Sequence, residues 1–262
     1  MTKDKVIAVM GDVHHHLWLA VEELNRLEDK LGSRIDQVFS VGDLGLFLEN
    51  EDWNFLTGPE KYRRPDESPR ICEAWREWRW PLSMIGGNHE PFHRLRDFDP
   101  SFYDDRLEYT DAGLLHHAIP GLRVYGLTGI HNERAFDRRS RHRPSWSQLL
   151  EEVRAGERDI RELTWYRQHD IDQLLALPPR PHILLTHNWP FVLSHLEPNP
   201  DFPEWQLLQI LRPHFHFSGH RHVHHIREID QTRFEGLNII EGEGWVRLLR
   251  WEGSRLVSLE TP

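Results

Sequence analysis

An α/β fold is expected for this chain on three observations. Short apolar runs recur, each ending in glycine or polar residues; a stretch of helical periodicity separates the first two; and the C-terminal part changes to closely spaced runs punctuated by glycine.

The apolar runs read as strands. Val6 to Met10 ends at Gly11-Asp12, Gln37 to Val41 at Gly42-Asp43, and Leu82 to Ile85 at Gly86-Gly87-Asn88-His89. His182 to Leu185 ends at Thr186-His187, and His214 to Phe217 at Ser218-Gly219-His220. The pattern puts their polar ends at one edge, where ligand sites of open α/β sheets form. Trp18, Val21, Leu24, Leu27 and Leu31 fall at helical spacing with Gly32 as the stop, which makes the opening a β-α-β unit. Ile239 to Ile240, Val246 to Trp251 and Leu256 to Leu259, broken by Gly242, Gly244 and Gly253, read as antiparallel strands and turns. Glu49 to Pro69, with Pro59, Pro65 and Pro69, reads as an irregular loop. The stretch 132–170 carries Arg134, Arg138, Arg139, Arg141 and Arg143 and reads as an insertion near the substrate in a single domain over 1–262.

A length of 262 residues with 38% hydrophobic and 28% charged composition suits a buried core and a soluble surface. The formal charge of −10 argues against a protein that coats nucleic acid through a broad basic face. It leaves room for a nucleic-acid enzyme whose site is locally positive. Cys72 is the single cysteine, which rules out an intramolecular disulfide framework and a cysteine-rich zinc site. No signal-like run follows Met1, and no apolar run approaches the ~20 residues of a membrane helix. A cytoplasmic protein with no membrane association is expected, and no obligate protein partner is implied.

Taken singly, the polar clusters are weak: a Gly-Asp after a strand is often a turn, and a lone histidine is more often packing than ligand. In order they are specific: Asp12-Val13-His14, Gly42-Asp43, Gly87-Asn88-His89-Glu90, Thr186-His187 and Gly219-His220-Arg221-His222. This order resembles the calcineurin-like metallophosphoesterase family from about Val6 to about Arg250. The resemblance implies a four-layer α-β-β-α sandwich and two divalent transition-metal ions, manganese first, with iron, zinc or cobalt as alternatives. It places Asp12, His14 and His222 with Asp43 at the first metal, and Asn88, His187 and His220 with Asp43 at the second.

The residue types fit that chemistry. Two cations ~3.5–4 Å apart need an anionic bridge, which Asp43 can provide, and mixed nitrogen and oxygen donors suit transition metals. A water between two such ions loses a proton near neutral pH and can attack phosphorus in line. His89 follows a ligand and is expected to act as the acid that protonates the leaving oxygen. Arg221, Arg138 and Arg139 are candidates for holding the substrate phosphate. Glycine before Asp12, Asp43, Asn88 and His220 is expected to let the backbone turn sharply. Of the nineteen histidines, His15, His16, His116, His117, His224 and His225 read as surface or packing. Trp146 and Trp189 could stack on a nucleobase, with packing the plainer reading.

Within that family, several segments are similar to RNA lariat-debranching enzymes. Met84 to Glu90, Leu184 to Pro190, Gly121 to Ile130 and Pro59 to Arg63 carry the likeness, over roughly the first 190 residues. It implies phosphodiester hydrolysis on a nucleotide or RNA, including a 2′,5′-linked one. Those enzymes commonly carry cysteine where this chain has Asp12, a full carboxylate ligand that favours a stable dinuclear site. One alternative is a phosphomonoesterase or protein phosphatase; protein phosphatases of this fold usually follow the bridging aspartate with Asp-Arg-Gly, whereas Asp43 precedes Leu-Gly-Leu-Phe. Another is a non-catalytic interaction module, which should have lost ligands.

Overall fold

The strand alternation explains the layering. In β1 (Lys5–Met10) Ala8 and Met10 face one hydrophobic cluster, while Ile7 and Val9 face another, as the two-residue period of a strand requires. The computed structural model describes residues 4–58, 60–96, 103–133, 136, 145–192 and 197–259.

The first sheet has the order β14-β13-β1-β2-β3-β4, formed by β2 (Gln37–Ser40), β3 (Leu82–Met84), β4 (Leu107–Tyr109), β13 (Val246–Trp251) and β14 (Leu256–Ser258) around β1. β1 to β4 run parallel, and the C-terminal pair is antiparallel, with Met10 opposite Val246. The second sheet contains β5 (Ala112–Leu114), β6 (Val124–Leu127), β7 (Ile183–Thr186), β10 (Phe215–Ser218), β11 (His225–Ile229) and β12 (Thr232–Gly236) in the order β11-β12-β10-β7-β6-β5. Its inner strands β12, β10, β7 and β6 are parallel. A separate two-stranded ribbon pairs β8 (Phe191–Val192) with β9 (Glu197–Pro198).

Three apolar seams make four layers. Outside the first sheet, α1 (Leu17–Leu31) and α2 (Ser68–Glu77) bury Leu24, Leu27, Ile71 and Trp75 on Ala8, Val38, Met84 and Leu248. Between the sheets, Ile7, Val9, Phe39 and Ile85 meet Val124, Ile183, Leu185 and Phe217. Beyond the second sheet, α5 (Gln168–Leu175) and α6 (Pro203–Leu211) bury Ile171, Leu174, Leu207 and Leu211 on Tyr125, Leu127 and Leu184. This is the expected α-β-β-α sandwich. Much of the tryptophan content lies in the first seam, where Trp53, Trp75, Trp78, Trp80 and Trp245 are buried. The indole N–H of Trp80 donates to Glu28 at 2.9 Å, so the buried polar atom is paired.

α1 stops at Gly32, whose φ of 62° is the left-handed conformation glycine adopts without cost. The 49–69 stretch is more ordered than its prolines suggested. It contains 3₁₀ turns at Asn50–Phe55, Glu60–Tyr62 and Pro65–Glu67, and Pro69 lies in the first turn of α2, where no backbone N–H is needed. In the 132–170 stretch, α4 (Trp146–Arg154) starts at a Ser145–Gln148 capping box. Leu149, Leu150 and Leu163 then pack on Phe92 of the short helix α3 (Phe92–Leu95). The strands β11 and β12 were not legible: β11 exposes alternate residues along a polar edge, so its apolar signal is weak. No helix among the described residues is long and apolar enough to cross a membrane.

Candidate metal centre

Five parallel strands, three in one sheet and two in the other, end at the same edge and deliver Asp12, Asp43, Asn88, His187 and His220. Backbone hydrogen bonds tie the loops together before any side chain acts. Val13 and His14 N–H donate to the Asp43 carbonyl at 3.0 and 2.8 Å, and Ile240 N–H donates to the Asp12 carbonyl at 2.8 Å. Across the sheets, the His220 N–H donates to Asp12 Oδ2 at 2.8 Å.

The side-chain donors form two groups, each within 4.8 Å: Asp12, His14 and His222, and Asp43, His187 and His220. Asp43 touches both, with Oδ2 3.6 Å from His14 Nε2 and 3.3 Å from His187 Nε2. Its other oxygen, Oδ1, accepts from the Asn88 and His89 N–H groups at 2.6 and 2.7 Å. Asn88 Oδ1 lies 3.3 Å from His187 Nε2, so all seven expected ligands are brought to one place. His89 stands beside them, its ring 4.8 Å from that of His14, and it also falls in a group with His14 and Asp43.

The donor set fits a cation. His187 Nδ1 lies 2.9 Å from the Val41 carbonyl, which only accepts, so Nδ1 carries the hydrogen and Nε2 offers a lone pair. That lone pair faces two oxygens, Asp43 Oδ2 and Asn88 Oδ1, and three acceptors meeting are stable only around a positive charge. The protonation balance shows the same field. Burial disfavours an imidazolium at His187, yet Asp43 outweighs it and raises the group to about 9. Burial alone would push the Asp43 carboxyl up, but His187, His89 and His14 hold it well below the usual range.

The backbone gives up stability to build this arrangement. His14, Asp43, His220 and His222 have φ of 46°, 51°, 68° and 50°, a region costing non-glycine residues about 1–3 kcal/mol each. Three of the four preceding glycines serve a different purpose from the sharp turns expected of them. Among the four, only Gly42 has positive φ; Gly87 and Gly219 are needed for space. A Cβ at Gly87 would lie 2.1 Å from Asp43 Oδ1, and one at Gly219 would lie 2.1 Å from Asp12 Oδ1.

Residues 5–224 match the family model for calcineurin-like phosphoesterase. The chain belongs to that family. The Saccharomyces cerevisiae lariat debranching enzyme is 29% identical over 252 residues, covering 89% of this chain and 60% of that protein. The Arabidopsis thaliana lariat debranching enzyme is 25% identical over 276 residues, covering 94% and 63%. The chain therefore spans less than two thirds of the length of these curated relatives. The Thermus thermophilus protein TT1561 shares the fold at a TM-score of 0.51 and 12% identity, covering 99% of this chain and 100% of that one.

Beside its donor cluster, this calcineurin-like phosphoesterase has a cavity of about 530 Å³ lined by His131, Asn132, Trp165, Phe202, His220 and Arg221. Arg221 is the one sequence-picked arginine among the described residues, and its Nε has no hydrogen-bond partner there. Arg138 and Arg139 lie outside the described residues. Trp189 is fully buried, with its indole N–H donating to the Gly219 carbonyl at 2.7 Å, so it fixes the His220 loop and is shut off from any base. Trp146 is covered by the Arg96 and Arg167 guanidinium groups.

Below the centre, the fully buried His216 sits 2.8 Å from Thr186 Oγ1, and burial drives its imidazole down to about 3. Between that value and the ordinary 6.5, the unfolded chain binds a proton that the folded chain does not. His216 therefore lowers stability as pH falls through this window, by up to ~1.4 kcal/mol per pH unit. Glu204 and Glu90, pushed by burial up to about 7 and about 8, act with the opposite sign above 4.5. The informative quantity is a difference: His216→Gln should remove about one proton from the pH slope of urea-unfolding free energy between pH 6.5 and 4.5. An unchanged slope would show that His216 is not held neutral.

Proposed function

We propose that this chain is a phosphodiesterase that uses two divalent transition-metal ions, manganese foremost, to hydrolyse nucleotide or RNA phosphodiesters. The observation that carries the reading is Asp43, whose Oδ2 faces a donor from each of two groups. A single metal site would not need a carboxylate placed between two sets of imidazoles. Asp12, His14 and His222 would hold one ion and Asn88, His187 and His220 the other, with Asp43 shared. When bound, the ions supply an activated water and neutralise charge on the phosphate.

The chain's own residues do the rest. His89 donates a proton to the leaving oxygen, and the 57–58 segment holds it in position. Thr57 Oγ1 donates to the Asn88 carbonyl, and a Cβ at Gly58 would come within 2.7 Å of the His89 ring. Arg221, at the rim of the cavity, binds a phosphate oxygen, and Trp165 and Phe202 offer apolar walls to the group attached to it.

Among phosphodiesters, 2′,5′-linked RNA is favoured by the segments resembling debranching enzymes and by the relatives' names. The test is hydrolysis by manganese-loaded protein of a 2′,5′-linked RNA, a 3′,5′-linked RNA, a bis-aryl phosphate and an aryl monophosphate. Preferential 2′,5′ cleavage supports the full reading, and cleavage of the aryl diester alone supports a diesterase acting on another substrate. A monoester preference of several orders would place the chain among phosphomonoesterases.

A further inference from the structure

A third cluster of donors stands apart from the seven residues above. His15 and His16 lie between β1 and α1, and Glu67 ends the 3₁₀ turn that leads into α2. One donor atom from each falls within 4.8 Å of the other two. We propose that His15, His16 and Glu67 form a separate binding site for one divalent ion of the zinc class.

The local geometry suits a ligand better than a simple side-chain pair. His15 Nε2 lies 3.2 Å from Glu67 Oε2, yet that oxygen is screened from solvent and accepts no hydrogen bond from the described residues. Buried carboxylate oxygens ordinarily find a donor, so this one is set for a different partner. A His15–Glu67 pair would also leave His16 without a role. His16 occupies the position before α1, but its side chain makes no capping hydrogen bond. Both rings are walled by indoles, His15 edge-on to Trp53 at 5.2 Å and His16 edge-on to Trp18 at 5.2 Å, which limits their rotation. His15 itself sits at φ 64°, the strained region shared by His14, Asp43, His220 and His222 of the main centre.

Two imidazole nitrogens and one carboxylate oxygen match zinc, copper or nickel rather than magnesium or calcium. Bonds of ~2.0–2.1 Å in a tetrahedron put ligand atoms about 3.4 Å apart, and three protein ligands with a solvent molecule complete such a site. The His15–Glu67 separation already meets that spacing, and small side-chain rotations bring in the third donor. An ion here would tie the Pro65–Glu67 turn to the loop carrying His14. It would steady the adjoining Glu60–Tyr62 turn, whose Tyr62 ring lies 6.5 Å from the ring of His89.

The site shares no residue with the main centre, so its test is independent of that centre. Zinc bound per chain is measured by mass spectrometry after dialysis at fixed free zinc, for the wild type, His16→Gln and Glu67→Gln. Each variant is expected to bind one ion fewer than the wild type. The same loss of one ion is expected when Glu67→Gln is added to Asp43→Ala, whatever that background retains. Zinc should also slow tryptic cleavage after Lys61 and Arg63 severalfold in the wild type and leave Glu67→Gln unprotected. Equal zinc content in the wild type and both variants overturns the site, as does equal protection of the wild type and Glu67→Gln.

Discussion

Replacing His89 by alanine should lower turnover about 10²–10⁴-fold on a diester whose leaving group is an ordinary alkoxide, the range a positioned general acid supplies. The loss should be much smaller on an activated aryl diester, whose leaving oxygen needs little protonation. Metal content is the decisive companion measurement, because His89 also falls within ligand spacing of His14 and Asp43. Retained metal with a leaving-group-dependent loss identifies an acid. Lost metal with equal losses on both substrates identifies a ligand.

Asp43→Ala should be more damaging. The substitution removes the oxygen facing His14 and His187 and the oxygen that accepts the Asn88 and His89 N–H groups. The bound-metal count should fall by at least one ion per chain. Activity should fall about 10³-fold or more, because metal charge stabilisation is worth several kcal/mol. Metal analysis by mass spectrometry beside the diesterase assay checks both. Retention of two ions would refute a shared carboxylate. Asp43→Asn separates the two roles of the side chain, since an amide oxygen can still accept the backbone bonds while the negative charge is gone.

Much of the fold was legible because the strand pattern and the site are written in the same short segments. An apolar run of β period followed by glycine and a donor locates both a strand and its end, and Asp12, Asp43, Asn88, His187 and His220 were each found that way. The structure brings these together with His14 and His222, residues two positions from another donor. What the sequence hid depends on contacts between distant segments. The cavity beside His220 draws together His131, Trp165 and Phe202, the last from just before α6, and no local spacing links them. Glu204, buried beneath Asn188 and Tyr166, could be mistaken for an ordinary surface glutamate at a helix start. Glu67 lies 51 residues after His16, within a stretch whose prolines suggested irregular chain, so its meeting with the histidine pair was invisible. The reason for Gly87 and Gly219 was hidden too, because it lies in an aspartate oxygen arriving from another strand.

The division of donors between two sheets makes assembly of the centre inseparable from docking of the two halves. Asp12, His14, Asp43 and Asn88 belong to one sheet's loops, and His187, His220 and His222 to the other's, with an apolar seam behind them. A cation held across that seam would act as a rivet, because it would bind the docked state and not the parted one. Chelation and thermal unfolding would then be two readings of one equilibrium. A lesion at Phe217 or Ile85, deep in the seam, should register first as a weaker grip on metal, well before the chain comes apart.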